Sequence, residues 1–258
     1  MGAILHTINF RLFPEQIAYI ANHAEDYILF VDGTLAPTIE PLFASGQLST
    51  IKHYVLLGHQ RVQTSLKPCA IFNDLVAAAE PIAAFDEMLP ENTALGLCYT
   101  SGTTGHPKGV LYSHRSTVLA AFSTQMPELY PLSDRDTLLC IVPMFHGHAW
   151  GFPFVCAMNG TDIVLPGRDL SPQHLASLLL SERVTFTCGV PTIWLTMYEH
   201  LMKEKAKRGG KLDLSHCRIV TSAFVCPDFV FKGTVIIPRS GITFVVALQI
   251  TNANSAST

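Results

Sequence analysis

The sequence predicts an α/β fold built from mostly parallel sheets flanked by helices. Short β-rich runs alternate with helical patterns along most of the chain, an order typical of parallel strands joined by crossover helices. Apolar residues make up 48% of the 258 residues and charged residues only 14%, against roughly 25% charged residues in an average soluble domain. This balance favours sheets that are covered on both faces and also fits a segment of a larger domain.

The first half of the pattern begins with a helix and continues with two strands and a second helix. Pro14 at a first-turn position opens a helix over 14–24, whose apolar residues recur at helical spacing. Runs rich in β-branched and aromatic residues predict strands at 27–31 and 54–57. A connecting helix is expected at about 73–80, between polar loops that carry prolines.

The second half repeats the alternation. It predicts strands at 94–99, 137–142, 161–165, 185–188 and 217–221. It predicts helices at 115–126, 172–182 and 192–207. A loop rich in glycine and threonine, over 100–109, separates the first of these strands from its helix. Ser171 provides a cap for the second helix, and Gly209 with Gly210 ends the third.

Charge and cysteine content exclude several classes of protein. Lys and Arg number 17 and Asp and Glu 20, a net charge of −3 that gives no electrostatic basis for binding nucleic acid. The seven cysteines are scattered without a C-x-x-C pair, which indicates reduced core residues of a cytoplasmic protein rather than a disulfide framework or a zinc site. We expect no secretion signal and no transmembrane segment, because the apolar run at 242–250 is too short to span a bilayer.

The strongest chemical signal is the segment from Tyr99 to Val110, which reads Tyr-Thr-Ser-Gly-Thr-Thr-Gly-His-Pro-Lys-Gly-Val. Its glycines allow several backbone N–H groups to converge on an anion. Its hydroxyl groups add donors or a magnesium contact, and Lys108 brings a positive charge to phosphate oxygens. The spacing is not that of a Walker loop. The alternative interpretation is a flexible surface turn.

This segment resembles the signature loop of the adenylate-forming superfamily, which includes acyl-CoA synthetases, luciferases, aryl-CoA ligases and the adenylation domains of peptide synthetases. Other segments resemble its fatty-acid-CoA ligase branch: His6-Thr-Ile-Asn9, Arg11–Ile20, Ser113-His-Arg-Ser116, Pro143-Met-Phe-His146, Val164-Leu-Pro-Gly167 and Gly189-Val-Pro-Thr192. The resemblance implies part of the large N-terminal domain over 1–225. The apolar, proline-broken tail over 226–258 matches nothing in the family, and we expect its polar end to be disordered.

The resemblance implies a two-step reaction. A fatty-acid carboxylate attacks the α-phosphorus of ATP to give an acyl-adenylate and pyrophosphate, and CoA then displaces AMP as the thioester. Fatty acid, ATP and CoA are therefore the implied substrates, with Mg²⁺ as the metal. The resemblance assigns nucleotide binding to Thr100, Ser101, Gly102, Thr103, Thr104, Gly105 and Lys108. Thr100 would also contact the magnesium ion.

A second candidate site lies between Pro143 and Gly151. His146 and His148 could share a strand face and hold a metal, but no third ligand is spaced to join them. A packed core histidine or a loop turn is the ordinary alternative. The resemblance places His146 between the adenylate and the acyl channel. It places Trp150 at the gate or wall of the fatty-acid tunnel, where a large aromatic ring can close an apolar cavity to water.

The segment Gly189-Val-Pro-Thr192 precedes the last predicted helix. By resemblance, Gly189 and Pro191 shape the wall of the acyl pocket. The apolar residues of the helix are interpreted as a core stripe: Trp194, Leu195, Met197, Tyr198 and Leu201.

Three family elements have no counterpart in the sequence. It contains no aromatic-Gly-x-Thr-Glu motif, no Thr-Gly-Asp and no C-terminal domain with a hinge and a catalytic lysine. The chain is therefore expected to be inactive as a ligase by itself. The sequence leaves open a non-catalytic nucleotide- or fatty-acid-binding protein, one half of a split ligase completed by another polypeptide, and a homo-oligomer.

Overall fold

The computed structural model describes residues 2–58, 62–82, 84, 89–100, 106–126, 130–209, 212–217, 219–226, 229–236 and 249–252. The chain divides into two compact units, Met1–Ser116 (unit 1) and Thr117–Thr258 (unit 2).

Unit 1 combines two small sheets with helices. Its strands are β1 (Leu5–His6), β2 (Ile28–Asp32), β3 (His53–Leu57), β4 (Cys69–Ile71), β5 (Ala94–Thr100) and β6 (Lys108–Ser113). Its helices are α1 (Pro14–His23), α2 (Ala36–Ala44) and α3 (Phe72–Ala78), with a 3₁₀ turn at Gly33–Leu35. Strands β2, β3 and β4 are parallel neighbours. Strand β5 pairs with β1 in parallel and with β6 in antiparallel orientation.

The core of unit 1 forms where α1 and α2 pack on the β2–β3–β4 sheet. Helix α1 begins at Pro14, and the Gln16 side chain accepts a hydrogen bond from the Phe13 N–H at 3.2 Å. The buried face of α1 includes Ile17 and Ala21. It belongs to one apolar cluster with residues of α2, β2 and β3: Val31, Ile39, Leu42, Tyr54 and Leu56. The predicted helical spacing of α1 is therefore the spacing of its contacts with the core.

Unit 2 is built on one larger sheet. Helix α4 (His114–Thr124) spans the boundary between the units and is followed by β7 (Thr137–Cys140), the short turn α5 (Gly147–Trp150), α6 (Phe152–Asn159), β8 (Asp162–Val164), α7 (Pro172–Ser181), β9 (Phe186–Gly189), α8 (Pro191–Lys207), β10 (Ile219–Cys226), β11 (Phe229–Ile236) and β12 (Gln249–Asn252). The strand order is β12-β11-β10-β9-β7-β8. The four strands from β10 to β8 are parallel, and β11 and β12 are antiparallel to their neighbours.

Helices cover both faces of the sheet around β7. Leu139 on one face packs in a cluster with Leu175 of α7 and Trp194 of α8. Leu138 and Cys140 on the other face pack in a cluster that includes residues of α6 and β9: Phe152, Val155, Phe186 and Cys188. Successive strand residues point to opposite faces, so a strand buried on both sides excludes charged residues and admits a polar one only where it is hydrogen-bonded, as Thr187 of β9 is to the Leu139 carbonyl oxygen. This agrees with the low charge content.

The structure confirms the predicted α/β fold with mostly parallel sheets, and it adds elements that the sequence pattern did not predict. Helix α2 contains Pro41, which hides its helical pattern. Strand β6 occupies the end of the predicted loop and the residues before the predicted helix, because it pairs with β5 across the turn.

Two side-chain predictions were wrong. Cys69 lies exposed on β4 rather than in a core, and Leu195 is 65% exposed because it faces away from the buried side of α8. Trp194, Met197 and Leu201 are buried as predicted. Of the polar end of the chain, residues 253–258 lie outside the described residues.

Candidate functional site

The two ends of the predicted phosphate loop form the last cross-strand pair of the β5–β6 hairpin. Thr100 at the end of β5 lies opposite Lys108 at the start of β6. The Thr100 hydroxyl donates a hydrogen bond to the Lys108 carbonyl oxygen at 3.4 Å, and both residues are exposed. An exposed lysine at a hairpin mouth is available to an anionic ligand.

The remaining residues of the predicted loop lie outside the described residues: Ser101, Gly102, Thr103, Thr104 and Gly105. Their nucleotide-binding roles stay predictions. So does the magnesium contact of Thr100, which can provide one hydroxyl oxygen. The part of the chain that the structure describes holds no group of three or more His, Cys, Asp or Glu side chains arranged to hold a metal ion.

Tyr99 and Gly109 form the neighbouring cross-strand pair of the hairpin. A Cβ atom at Gly109 would lie 3.2 Å from Cζ of Tyr99 and 3.2 Å from Cδ1 of Leu97. The glycine therefore leaves space for the tyrosine ring to lie across the β6 backbone. Burial, followed by the charge of Asp26 and then by Tyr19, raises the pKa of the Tyr99 phenol.

The tyrosine lies in a cluster of polar rings that the sequence pattern did not identify. Its hydroxyl group and Nδ1 of His23 on α1 are 2.6 Å apart. Its ring centroid is 5.2 Å from that of His6. Nδ1 of His6 in turn lies 2.9 and 2.8 Å from the two carboxylate oxygens of Asp26. The family resemblance pointed to the segment beginning at His6, but the partner of each ring is set by contacts between distant segments.

In unit 2, the candidate residues follow the carboxyl ends of two adjacent strands. His146 comes after β7, and Gly189 and Pro191 end β9 and begin α8. Because β7 and β9 are parallel neighbours, both segments leave the sheet at the same edge, where open α/β sheets bind their ligands.

His146 and Trp150 flank a turn of unusual handedness. The φ angles are 51° at Gly147, 51° at His148, 55° at Ala149, 56° at Trp150 and 77° at Gly151, all in the left-handed region. His146 is exposed and its ring lies tilted against that of Phe145 at a centroid distance of 4.8 Å, whereas His148 is buried and meets Phe154 edge-on at 6.0 Å. The two histidines therefore occupy different environments, which agrees with the interpretation of His148 as a packed core residue.

Trp150 is 36% exposed, so part of its ring faces solvent. This is compatible with the predicted place at the wall or gate of an acyl channel, which stays a prediction.

Gly189 is buried against the indole of Trp194. A Cβ atom at Gly189 would lie 3.1 Å from Cζ2 of Trp194. Pro191 occupies the first turn of α8 and is exposed, three residues before Trp194. Within the described residues the buried Nε1 of Trp194 has no hydrogen-bond partner. Sequence reasoning assigned this tryptophan to the core stripe and did not connect it to Gly189.

A groove of about 940 Å³ in unit 1 contains none of the predicted site residues. It is lined mainly by apolar residues of β1, β2 and α2, among them Leu5, Ile28, Phe30 and Ile39. Cavity size therefore does not identify the chemistry of this chain, and the loop and strand ends described above remain the better candidates.

Comparison with known proteins identifies the family. The sequence matches the AMP-binding enzyme family over residues 1–232. The chain belongs to this family. The matched residues include both ends of the predicted phosphate loop and the segments that follow β7 and β9.

Two curated relatives of this chain are named as CoA ligases. It is 45% identical over 229 residues to a 3-methylmercaptopropionyl-CoA ligase of Ruegeria pomeroyi, covering 88% of this chain and 41% of the relative. It is 43% identical over 228 residues to a medium-chain-fatty-acid–CoA ligase of Ectopseudomonas oleovorans, covering 88% and 40%. The chain thus spans about two fifths of the length of these relatives.

Among solved structures, an anthranilate CoA ligase in complex with anthranoyl-AMP superposes with a TM-score of 0.71 at 24% identity, covering 85% of this chain and 40% of that one. At this identity the similarity establishes the fold, that of the N-terminal domain of adenylate-forming enzymes. No helix among the described residues is long and apolar enough to cross a membrane.

Proposed function

We propose that the protein takes part in ATP-dependent activation of a medium- or long-chain fatty acid, as an AMP-forming acyl-CoA ligase. The observation that carries the proposal is the 43% identity to a medium-chain-fatty-acid–CoA ligase over a segment that includes the phosphate loop. The exposed Thr100–Lys108 pair at the mouth of the β5–β6 hairpin supports it, since hydroxyl and ammonium groups there suit phosphate oxygens.

Different residues bind the nucleotide and the acyl group. The loop binds the β- and γ-phosphates through Thr100, Ser101, Gly102, Thr103, Thr104, Gly105 and Lys108. In unit 2, His146, Trp150, Gly189 and Pro191 border the site of the fatty acid. The fatty-acid oxygen forms a bond to the α-phosphorus while the bond to pyrophosphate breaks, and the positive charge of Lys108 stabilises the charge that develops on the leaving group. Mg²⁺, when bound with ATP, neutralises phosphate charge, and CoA takes the acyl group from AMP.

The chain alone supplies only part of this function. It lacks Thr-Glu and Thr-Gly-Asp sequences, which in the family provide an acidic metal ligand and a ribose ligand. We therefore propose that thioester formation requires further polypeptide, in the same protein or in a complementing one. A chain that binds nucleotide or fatty acid without turnover is the second candidate, favoured by the same missing sequences. The proposed location is the cytoplasm.

The test of the phosphate assignment is the variant Lys108→Ala. Titration calorimetry with pyrophosphate and with ATP should show weak binding by the unaltered chain. Losing one charge-assisted contact should weaken binding by about 1.5–3 kcal/mol.

The matched control is Lys52→Ala, which removes the same charge from another exposed position of unit 1, where the ammonium group donates to the Ser49 carbonyl oxygen. Equal binding by the unaltered chain and by both variants would rule out the assignment.

A further inference from the structure

One turn of helix α1 contacts both ends of the phosphate loop. Tyr19 and His23 are four residues apart on α1 and lie on the same side of the helix, with ring centroids 5.4 Å apart in a stacked arrangement. Tyr19 is half-buried and His23 is exposed. Neither faces the apolar cluster that attaches α1 to its sheet, so the general packing of the helix does not account for their position.

His23 contacts the strand that enters the loop. Its Nδ1 atom lies 2.6 Å from the hydroxyl oxygen of Tyr99, and the two rings meet edge-on with centroids 5.8 Å apart. Tyr99 directly precedes Thr100, the last residue of β5. The contact joins residues 76 positions apart in sequence, so it forms only in the folded unit.

Tyr19 contacts the segment that leaves the loop. Its ring stacks on that of His106 at a centroid distance of 4.6 Å and an interplanar angle of 22°. His106 precedes Lys108 by two residues, with Pro107 between them. Proline restricts both its own backbone and that of the residue before it. Fixing the ring of His106 therefore limits the positions open to the Lys108 backbone.

Three further groups fix the position of the Tyr99 side chain. Gly109 leaves the space that its ring fills. The ring of His6 packs on that of Tyr99, and the Asp26 carboxylate contacts Nδ1 of His6 at 2.8 Å, with both side chains at most 14% exposed. Tyr99 is thus held on several sides, and its hydroxyl group is presented to His23.

We propose that Tyr19 and His23 are positioning residues that hold the two ends of the phosphate loop in the register required to bind phosphate. The inference rests on the proposed function, since it presupposes that the loop binds pyrophosphate. Helix α1 fixes Tyr99 through His23 and His106 through Tyr19. Together these two contacts set the backbone direction at Thr100 and Lys108. The rings act through the loop ends and do not touch the ligand.

The test compares Tyr19→Leu, which removes the stacking ring, with Tyr19→Phe, which keeps it. A second, independent variant is Tyr99→Phe, which keeps the ring over Gly109 and removes the bond to His23. Ile17→Val, in the buried face of α1, is the control for a general loss of stability. Two quantities are measured on the full 258-residue chain: pyrophosphate affinity by calorimetry, and amide hydrogen exchange at the hairpin residues Thr100 and Gly109.

The expected result is that Tyr19→Leu weakens pyrophosphate binding about three- to tenfold, the range of a single aromatic contact, and accelerates exchange at Thr100 and Gly109. Tyr19→Phe should keep the pyrophosphate affinity and the slow exchange of the unaltered chain. Tyr99→Phe should accelerate exchange at Thr100. Exchange in Tyr19→Leu equal to that in Ile17→Val at matched stability would overturn the inference. If the unaltered chain binds no pyrophosphate, the proposed function fails, but hydrogen exchange still decides whether α1 fixes the hairpin.

Discussion

At the scale of single residues, Gly189 shows how one missing side chain can set the distance between a strand and a helix. The 3.1 Å between a Cβ atom at this position and Cζ2 of Trp194 is tighter than an ordinary contact. Trp194 is 4% exposed and surrounded by a packed cluster, so its ring has little room to move. The close packing of α8 on β9 therefore requires glycine at position 189.

We expect Gly189→Ala to lower the free energy of unfolding by about 1–3 kcal/mol, the usual cost of overpacking. The measurement is urea denaturation at equilibrium. Trp194→Phe lacks the ring atom that would clash, so the double variant should lose less stability than the sum of the two single variants. Strict additivity would show that the alanine is accommodated without touching the indole.

The buried thiols of unit 2 make a second residue-scale prediction. Burial raises the pKa of Cys140 to about 12 and that of Cys156 to about 11, from an ordinary value of 9. Charge interaction with Cys156 also contributes at Cys140. A raised folded-state pKa means that the unfolded thiol ionises first. The contribution to stability is therefore complete below pH 9 and is lost as the pH rises towards 11–12.

We predict that the free energy of unfolding falls with increasing pH above pH 9. Removing one thiol, in Cys140→Ala or Cys156→Ala, should make the slope shallower by about 1.4 kcal/mol per pH unit. Denaturant titrations at several pH values measure the slopes. Tyrosine ionisation is common to all of these proteins and cancels in the comparison, so identical slopes would contradict the prediction.

At the scale of elements, the left-handed turn α5 is the least regular part of the described chain. Left-handed backbone costs an L-residue about 1–2 kcal/mol, and here His148, Ala149 and Trp150 all adopt it. Buried contacts offset part of that cost, since Ala149 is fully buried and His148 is 5% exposed. Strain of this kind is commonly found at functional sites, and this turn follows His146 directly and includes Trp150.

Replacement of Ala149 by glycine should relieve part of the strain. Ala149→Gly and Ala121→Gly both remove a buried methyl group from the same apolar cluster, but Ala121 lies in the right-handed helix α4. We expect Ala149→Gly to destabilise the protein by about 1–2 kcal/mol less than Ala121→Gly. Thermal unfolding of the two variants measures the difference. An equal loss would mean that the turn is not strained.

At the scale of the whole molecule, the proposed catalysis depends on groups that these 258 residues do not contain. The transition state of adenylate formation places negative charge between the carboxylate and the α-phosphate. In the family, a glutamate that binds the metal and a lysine that bridges these groups stabilise it, and each such group is worth a factor of about 10²–10³ in rate. In the proposed mechanism Lys108 acts on the leaving pyrophosphate, and one lysine there cannot replace both groups.

We therefore predict that the purified chain of 258 residues forms no detectable acyl-CoA from ATP, CoA and fatty acids of about eight to eighteen carbons, which span the medium- and long-chain substrates of the proposed function. The relative from Ectopseudomonas oleovorans, assayed in parallel, is the positive control. Turnover that is retained by the chain and abolished by Lys108→Ala would contradict the prediction, since a contaminating host ligase would not respond to that variant.

Several parts of the molecule follow from the sequence alone because their signals are local. Helices α1 and α7 begin at a proline in the first turn, and the Ser171 hydroxyl accepts the His174 N–H as its capping position predicts. Within β3 and β7, the apolar runs at 54–57 and 138–140 predict buried strands. The glycine- and threonine-rich loop identifies its family and its candidate phosphate ligands without reference to any distant residue.

Other features were decided only by the tertiary structure. Strand β6 exists because β5 offers it an antiparallel edge. The left-handed turn α5 is held by burial of its side chains, and Gly189 is required by a tryptophan on the following helix. The contact of His23 with Tyr99 spans 76 residues. Periodicity and caps show which face of an element is buried, but which distant side chains meet there depends on how the elements pair, and only the folded chain determines that.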